Sequence, residues 1–148
     1  MSLAFVEHLF KERGQDFRKH ADGRLDADFK GYDQSHFIMG FTEIQRNVAQ
    51  GQVWFPSFDR TVNDILGLCS FINNQKIGLV LEFDQVHNRL GTRAYFEKTS
   101  DAYQEIGNFV IACDLGLRPL SIEVSARGYW TYDLVHGYMT FYTRSKLN

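Results

Sequence analysis

Residues 120–130 read LSIEVSARGYW, and the periodicity of this stretch decides which fold the chain is expected to adopt. Leu120, Ile122, Val124 and Ala126 fall on one side, and Ser121, Glu123, Ser125, Arg127 and Tyr129 on the other. Strict alternation marks a strand with one buried face. On that reading the apolar side packs inward and Glu123 stands at the centre of the outward side.

Upstream, TSDAYQEIGNFVIACDLG (99–116) places Tyr103, Ile106, Val110 and Cys113 on a helical stripe. Asp101 with Gln104 resembles a capping box, and Gly116 offers a stop. Before it come two strands, KIGLVLEFD (76–84) and TRAYFEK (92–98), joined by the loop QVHNRLG. Phe58, Val62, Ile65, Cys69 and Ile72 predict an earlier helix, with Ser57 or Asp59 near its start. QVWF (52–55) reads as a short strand, and GYMTFYTR (137–144) as a closing one. The order from Gln52 is strand, helix, strand, strand, helix, strand, strand. It predicts an α+β fold: an antiparallel-rich sheet of split βαβ repeats, ferredoxin-like, with two helices on one face.

The N-terminal part is less regular. Leu3, Val6, Phe10 and Phe17 suggest an amphipathic helix interrupted near Gly14, followed by a polar loop, ADGRLDADFKGYD. Residues 1–35 are thus expected to form a helical extension packed on the core of a single domain spanning 1–148. Between 36 and 50 two readings stay open. Phe37, Phe41, Ile44 and Val48 fit a helix, while HFIMGF fits the start of a strand.

The chain has 148 residues, 44% of them hydrophobic and 15% aromatic, which is enough to bury a core without disulfides. A net charge of −2, with acidic and basic residues interspersed, provides no basic patch for nucleic acid or for an anionic membrane surface. The two cysteines, Cys69 and Cys113, lie on apolar stripes and are expected to be reduced. No apolar run approaches membrane-spanning length, and MSLAFVEHLFKERG meets charge too early for a secretory signal. A cytoplasmic location is the expectation.

If the helices cover one face of the sheet, strand alternation specifies the other. Its members are Val80 and Glu82; Arg93, Tyr95 and Glu97; Glu123, Ser125, Arg127 and Tyr129. From the last strand, Tyr138, Thr140 and Tyr142 join them, since Met139 and Phe141 suit the core. Such a face can be an ordinary solvated sheet surface with Glu–Arg cross-strand pairs. It can equally be a pocket for a flat cation, with Tyr95, Tyr129 and Tyr138 supplying ring faces and Glu123 and Glu82 supplying charge.

The span TRAYFEKTSDAYQEIGNFVIACDLGL…LSIEV, residues 92–125, resembles the second half of GyrI-like small-molecule-binding domains, with YQEIG (103–107) as the helix start. Family members carry Gly-Pro where this chain has Asp101-Ala102. The resemblance implies that Glu123 matches a central strand glutamate that meets cationic, amphipathic compounds in an aromatic-lined cavity. It implies a chain that senses or sequesters such ligands without a cofactor. Two alternatives stand beside it. One is a protein-interaction module, such as an immunity, phage or accessory protein, using a Tyr-rich sheet face; a homodimer that hides that face would favour it. The other is a small hydrolase pairing Glu82 with Glu123.

Other constellations are incomplete. His8, Glu12 and Asp16 form one helical row, with too few nitrogen or sulfur ligands for zinc. Asp26, Asp28 and Gly31 begin a calcium-loop pattern, but Lys30 and Phe37 occupy positions that need oxygen ligands. Neither a nucleophile elbow nor a phosphate loop occurs. No catalytic residue and no metal ligand is therefore assigned.

Overall fold

A computed structural model describes residues 3–30, 36–55, 60–76 and 78–129. In order, the elements are α1 (Ala4–Arg13), β1 (Phe17–Lys19), β2 (Leu25–Lys30), β3 (His36–Gln45), β4 (Val48–Trp54), α2 (Val62–Asn74), β5 (Glu82–Asp84), β6 (Arg89–Glu97) and α3 (Ala102–Ala126). The strands form one six-stranded sheet in the order β1-β2-β3-β4-β6-β5, antiparallel at every junction. The fold is α+β, with the N-terminal helix packed on the core, as the sequence predicts. Since β4 and β5 both run antiparallel to β6, which lies between them, β4-α2-β5 is a split βαβ unit.

The alternatives left open for 36–50 resolve as strand. β3 and β4 form a hairpin through Arg46 and Asn47, with Asn47 in the left-handed region at φ 63°. Within the polar loop expected at 21–33, residues 25–30 are instead strand. Leu25, Ala27 and Phe29 alternate with Asp26 and Asp28, and the three apolar side chains are buried. Residues 1–35 therefore contribute two strands to the sheet as well as α1. Gly14 ends α1 at φ 67°, and the Gln15 amide reaches back to the Phe10 carbonyl at 2.8 Å. This left-handed cap redirects the chain and puts Phe17 on β1.

The main correction concerns LSIEVSARGYW. Leu120–Ala126 is the last two turns of α3, not a strand. Leu120 and Val124 are buried one above the other, while Ile122, which alternation would bury with them, is 61% exposed. They continue the buried stripe of Ala102, Ile106, Val110 and Cys113. A short apolar run satisfies both periods, and here the helical one wins because it extends a stripe already packed. Gly116 does not stop the helix. A Cβ there would lie 2.2 Å from Leu79 Cδ2, so this glycine admits the segment entering β5. The stop is Gly128 at φ 71°, where the Tyr129 amide donates to the Val124 carbonyl at 3.0 Å, a Schellman closure. The expected last strand, 137–144, lies outside the described residues.

Helix α2 starts later than the sequence suggests. Thr61 caps it, its hydroxyl accepting from the Asp64 amide at 3.2 Å; Ser57 and Asp59 lie outside the described residues. Ile65, Leu68, Cys69 and Ile72 are buried beneath it. Asn73 then serves as a strand surrogate. Its side-chain amide donates to the Leu81 carbonyl at 3.0 Å and accepts from the Leu81 amide at 2.7 Å. These bonds hold the lead into β5 against α2, burying Leu79 and Leu81 and leaving Val80 outside.

One apolar cluster joins the helices to the underside of the sheet, from Leu3 to Val124. Its aromatic centre is Phe10, whose ring meets Phe41, Phe17 and Phe29 at 5.4, 6.0 and 6.1 Å. Both cysteines are free and buried within this layer. Burial, reinforced by the neighbouring Asp114, pushes the Cys113 thiol up to about 12, which leaves it without nucleophilic thiolate at neutral pH. Among the described residues no helix is long and apolar enough to cross a membrane.

Candidate functional site

All three helices lie on one side of the sheet, so alternation in the strands defines an opposite, open side. On β4, Ala49, Gly51 and Val53 are buried beneath the helices, and Val48, Gln50, Gln52 and Trp54 face away. Cross-strand register carries this side to Glu97, Tyr95, Arg93 and Gly91 on β6, and to Thr42 and Gly40 on β3. It then reaches Glu82 on β5 through Gly91, and Asp26 and Asp28 on β2 through Gly40 and Ile38.

A basin of about 600 Å³ lies on this face, lined among others by Arg24, Asp26, Ile38, Gly40, Gln52 and Trp54. Such a volume falls within the range of small-molecule sites. Two glycines shape it. Gly40 forms part of the floor, where a side chain would press on Asp26 Oδ1, 3.3 Å from an added Cβ. Gly91 has Trp54 lying against it, since an added Cβ would meet Trp54 Cε3 at 2.2 Å. The Arg89 guanidinium sits 4.2 Å from the Trp54 ring centroid and fixes the indole at the end of the basin.

The charges of the face are locally compensated. Arg93 Nε donates to both Glu82 oxygens at 2.9 Å, and Nη2 also donates to Glu82 Oε2. Gln52 Nε2 adds a bond to Glu82 Oε1 at 2.9 Å, and Arg93 Nη1 reaches Gln50 Oε1 at 3.3 Å. At the opposite rim His20 Nε2 lies 2.6 Å from Asp26 Oδ2, with Arg24 Nε 3.7 Å from the other oxygen. Gln50 and Gln52 thus stand between two ion-pair clusters, on the central strand of a floor that mixes Ile38, Gly40 and Trp54 with polar side chains.

Beyond Glu82 on β5, Asp84 contacts His87 Nδ1 at 2.8 Å and accepts from Arg89 Nε at 2.9 Å. Partial burial raises its carboxyl pKa, but the hydrogen bonds from His87 and Arg89 outweigh this and hold it at about 2. A carboxyl depressed from 3.8 contributes stability above that pH and loses it as pH falls through 2. A carboxyl NMR titration is expected to place the Asp84 midpoint near 2, shifting to about 4, the free aspartate value, in Arg89→Ala combined with His87→Ala.

The expected site residues divide between two layers. Glu82 and Tyr95 face the open side as predicted, with Tyr95 55% exposed. Glu123 does not join them. It lies on α3, accepts from Arg127 Nε at 2.8 Å, and belongs to the helical side. Its carboxylate is therefore neither unpartnered nor opposite Glu82, and a Glu82–Glu123 acid–base pair is not formed. Tyr129 follows α3 and stacks under Arg60, whose guanidinium is 4.9 Å from the ring centroid. Tyr138 lies outside the described residues, so Tyr95 is the tyrosine of the described open face.

Sequence reasoning missed Asp26, Gly40, Gln50, Gln52 and Trp54. The signal lay in the alternation of β2 and β4, where VAQGQVW places small or apolar residues on one side and Gln, Gln and Trp on the other. Among the described residues no group of His, Cys, Asp and Glu could hold a metal ion. No protein-family model matches the chain, and no characterised protein matches it in sequence.

Proposed function

We propose that the open sheet face binds a small aromatic, amphipathic molecule, and that the chain senses or sequesters it. The observation that carries this reading is the basin itself: Gly40 and Ile38 beside an indole, with two glutamine side chains between them and Arg93. A flat apolar body fits over Gly40 and Ile38, and a polar edge finds a donor in the Gln50 side-chain amide and an acceptor in Gln52 Oε1, whose own amide hydrogens are spent on Glu82 and the Thr92 carbonyl. Charge is the weaker determinant. Glu82 is engaged by Arg93, and Asp26 by His20 and Arg24, so a cationic ligand would have to compete with groups already on each carboxylate. This support is independent of Glu123 and keeps the ligand reading on the open sheet face, where the sequence reading put it, with other residues.

The test is fluorescence anisotropy of two flat dyes, cationic rhodamine 6G and anionic fluorescein, titrated with the protein. Gly40→Val and Thr42→Tyr fill the basin from strand positions and are expected to weaken binding of either dye at least about tenfold, ~1.4 kcal/mol. Glu123→Gln is expected to leave the affinity unchanged. Binding unaffected by both filling variants, or no binding of either dye, contradicts the proposal. A protein partner on the same face is the second reading, favoured by the exposed Tyr95 ring near the Arg93–Glu82 pair.

A further inference from the structure

Arg24 and Arg93 both line the basin, and only Arg93 is committed. Its guanidinium is engaged by Glu82 and Gln50. Arg24 makes no comparable bond. Among the described residues its guanidinium has one ion pair, Nε 3.7 Å from Asp26 Oδ1, which is longer than a hydrogen bond. The carboxylates are in the opposite condition. Both Glu82 oxygens accept from Arg93, and Oε1 accepts from Gln52 as well. Asp26 Oδ2 contacts His20 Nε2, and Oδ1 faces Arg24. Beyond Asp26, an adjoining hollow sets Arg18 among Asp16 and Asp28. Among its described residues, the basin lining thus keeps one uncommitted cation and no unopposed carboxylate.

The sequence holds Arg24 in place through its main chain. HADG (20–23) turns the chain between β1 and β2: Gly23 adopts φ 91°, and its amide donates to the His20 carbonyl at 3.0 Å. The Arg24 carbonyl accepts from the His20 amide at 2.8 Å, and the Arg24 amide donates to Asp22 Oδ1 at 3.0 Å. Two residues before Asp26, Arg24 shares its open side of the sheet by alternation. Its stem reaches toward Gly40, where its Cδ would lie 3.9 Å from an added Cβ. A fixed main chain and a stem lying against glycine therefore bring the guanidinium to the basin with its N–H fork free.

We propose that the molecule bound on the open face is an aromatic carboxylate, with Arg24 receiving the carboxylate while the ring lies on Ile38 against Trp54. The inference rests on the basin reading above and names its class of ligand. A planar carboxylate matches the arginine fork through paired, charge-assisted hydrogen bonds. One uncommitted cation suits one negative charge. A phosphate monoester would bring about two, and no second lining cation is free to meet them. A cationic ligand would meet Arg24 and find each carboxylate already engaged.

Isothermal titration calorimetry of the full chain with 2-naphthoate, 2-naphthylmethylammonium and uncharged 2-naphthalenemethanol tests this. 2-Naphthoate is expected to bind at least about tenfold more tightly than the ammonium, the difference expected of hydrogen bonds to a charged group. Arg24→Gln is expected to bring 2-naphthoate down to the affinity of 2-naphthalenemethanol. Arg24→Lys, which keeps the charge and loses the fork, should retain only part of the preference. Equal affinity for the two ions, a preference for the ammonium, or a preference for 2-naphthoate that survives Arg24→Gln overturns the inference. If the uncharged probe nonetheless binds and Gly40→Val weakens it, the basin reading stands without this ligand class. If none of the three probes binds, both are overturned.

Discussion

Phe10→Ala is expected to remove about 3–5 kcal/mol of folding stability, the cost of emptying a fully buried aromatic site. Phe10 has no exposed surface, and its ring stands among Phe17, Phe29 and Phe41, one each from β1, β2 and β3. Truncation leaves a void faced by three rings on separate strands, which cannot close over it without moving the sheet. Domains of this size are stable by about 5–15 kcal/mol, so the loss is a large share of the total. Urea unfolding followed by circular dichroism would show it as a lower midpoint at unchanged slope. If residues 1–35 were only an external extension, the midpoint would hardly move.

The second large effect is expected at Gly91. An added Cβ would lie 2.2 and 2.6 Å from Trp54 ring carbons and 2.7 Å from the Val53 carbonyl oxygen. The indole can swing away, but the backbone oxygen cannot move without loosening the register in which Trp54 opposes Gly91. Gly91→Ala is therefore expected to cost about 2–3 kcal/mol, at the upper end of overpacking. It should also separate Trp54 from Arg89 and shift tryptophan emission to the red. Gly107 provides the contrast. It lies within α3, a Cβ there meets nothing within 4 Å, and alanine is expected to stabilise by about 0.5–1 kcal/mol through helix propensity. Equal effects at the two glycines would contradict the packing assigned to Trp54.

The sequence and the structure agree where one periodicity had no rival. Ile65, Cys69 and Ile72 marked α2, and Ile106, Val110 and Cys113 marked α3. The alternation of β5 and β6 placed Glu82, Arg93, Tyr95 and Glu97 on the open side. Agreement failed where two periods fitted the same residues. Leu120 and Val124 serve a strand and a helix equally well, and only the packed stripe upstream decides between them. Asp22, Asp26 and Asp28 made residues 21–33 look like loop. Yet Asp26 and Asp28 are polar because they face water across a sheet whose other side buries Leu25 and Ala27. The basin could not be read locally. It exists only because β2, β3, β4 and β6 are neighbours, which brings Asp26, Gly40, Gln52 and Arg93 into one row.

That row carries the central claim, and amide NMR of the labelled protein titrated with rhodamine 6G tests it most directly. Shift changes are expected to centre on Gly40, Thr42, Gln50 and Gln52, with the Trp54 indole N–H among the largest, and to leave α2 and α3 unchanged. Changes centred on Glu123, Arg127 and Phe71 would instead put the site in the helical layer and contradict the account.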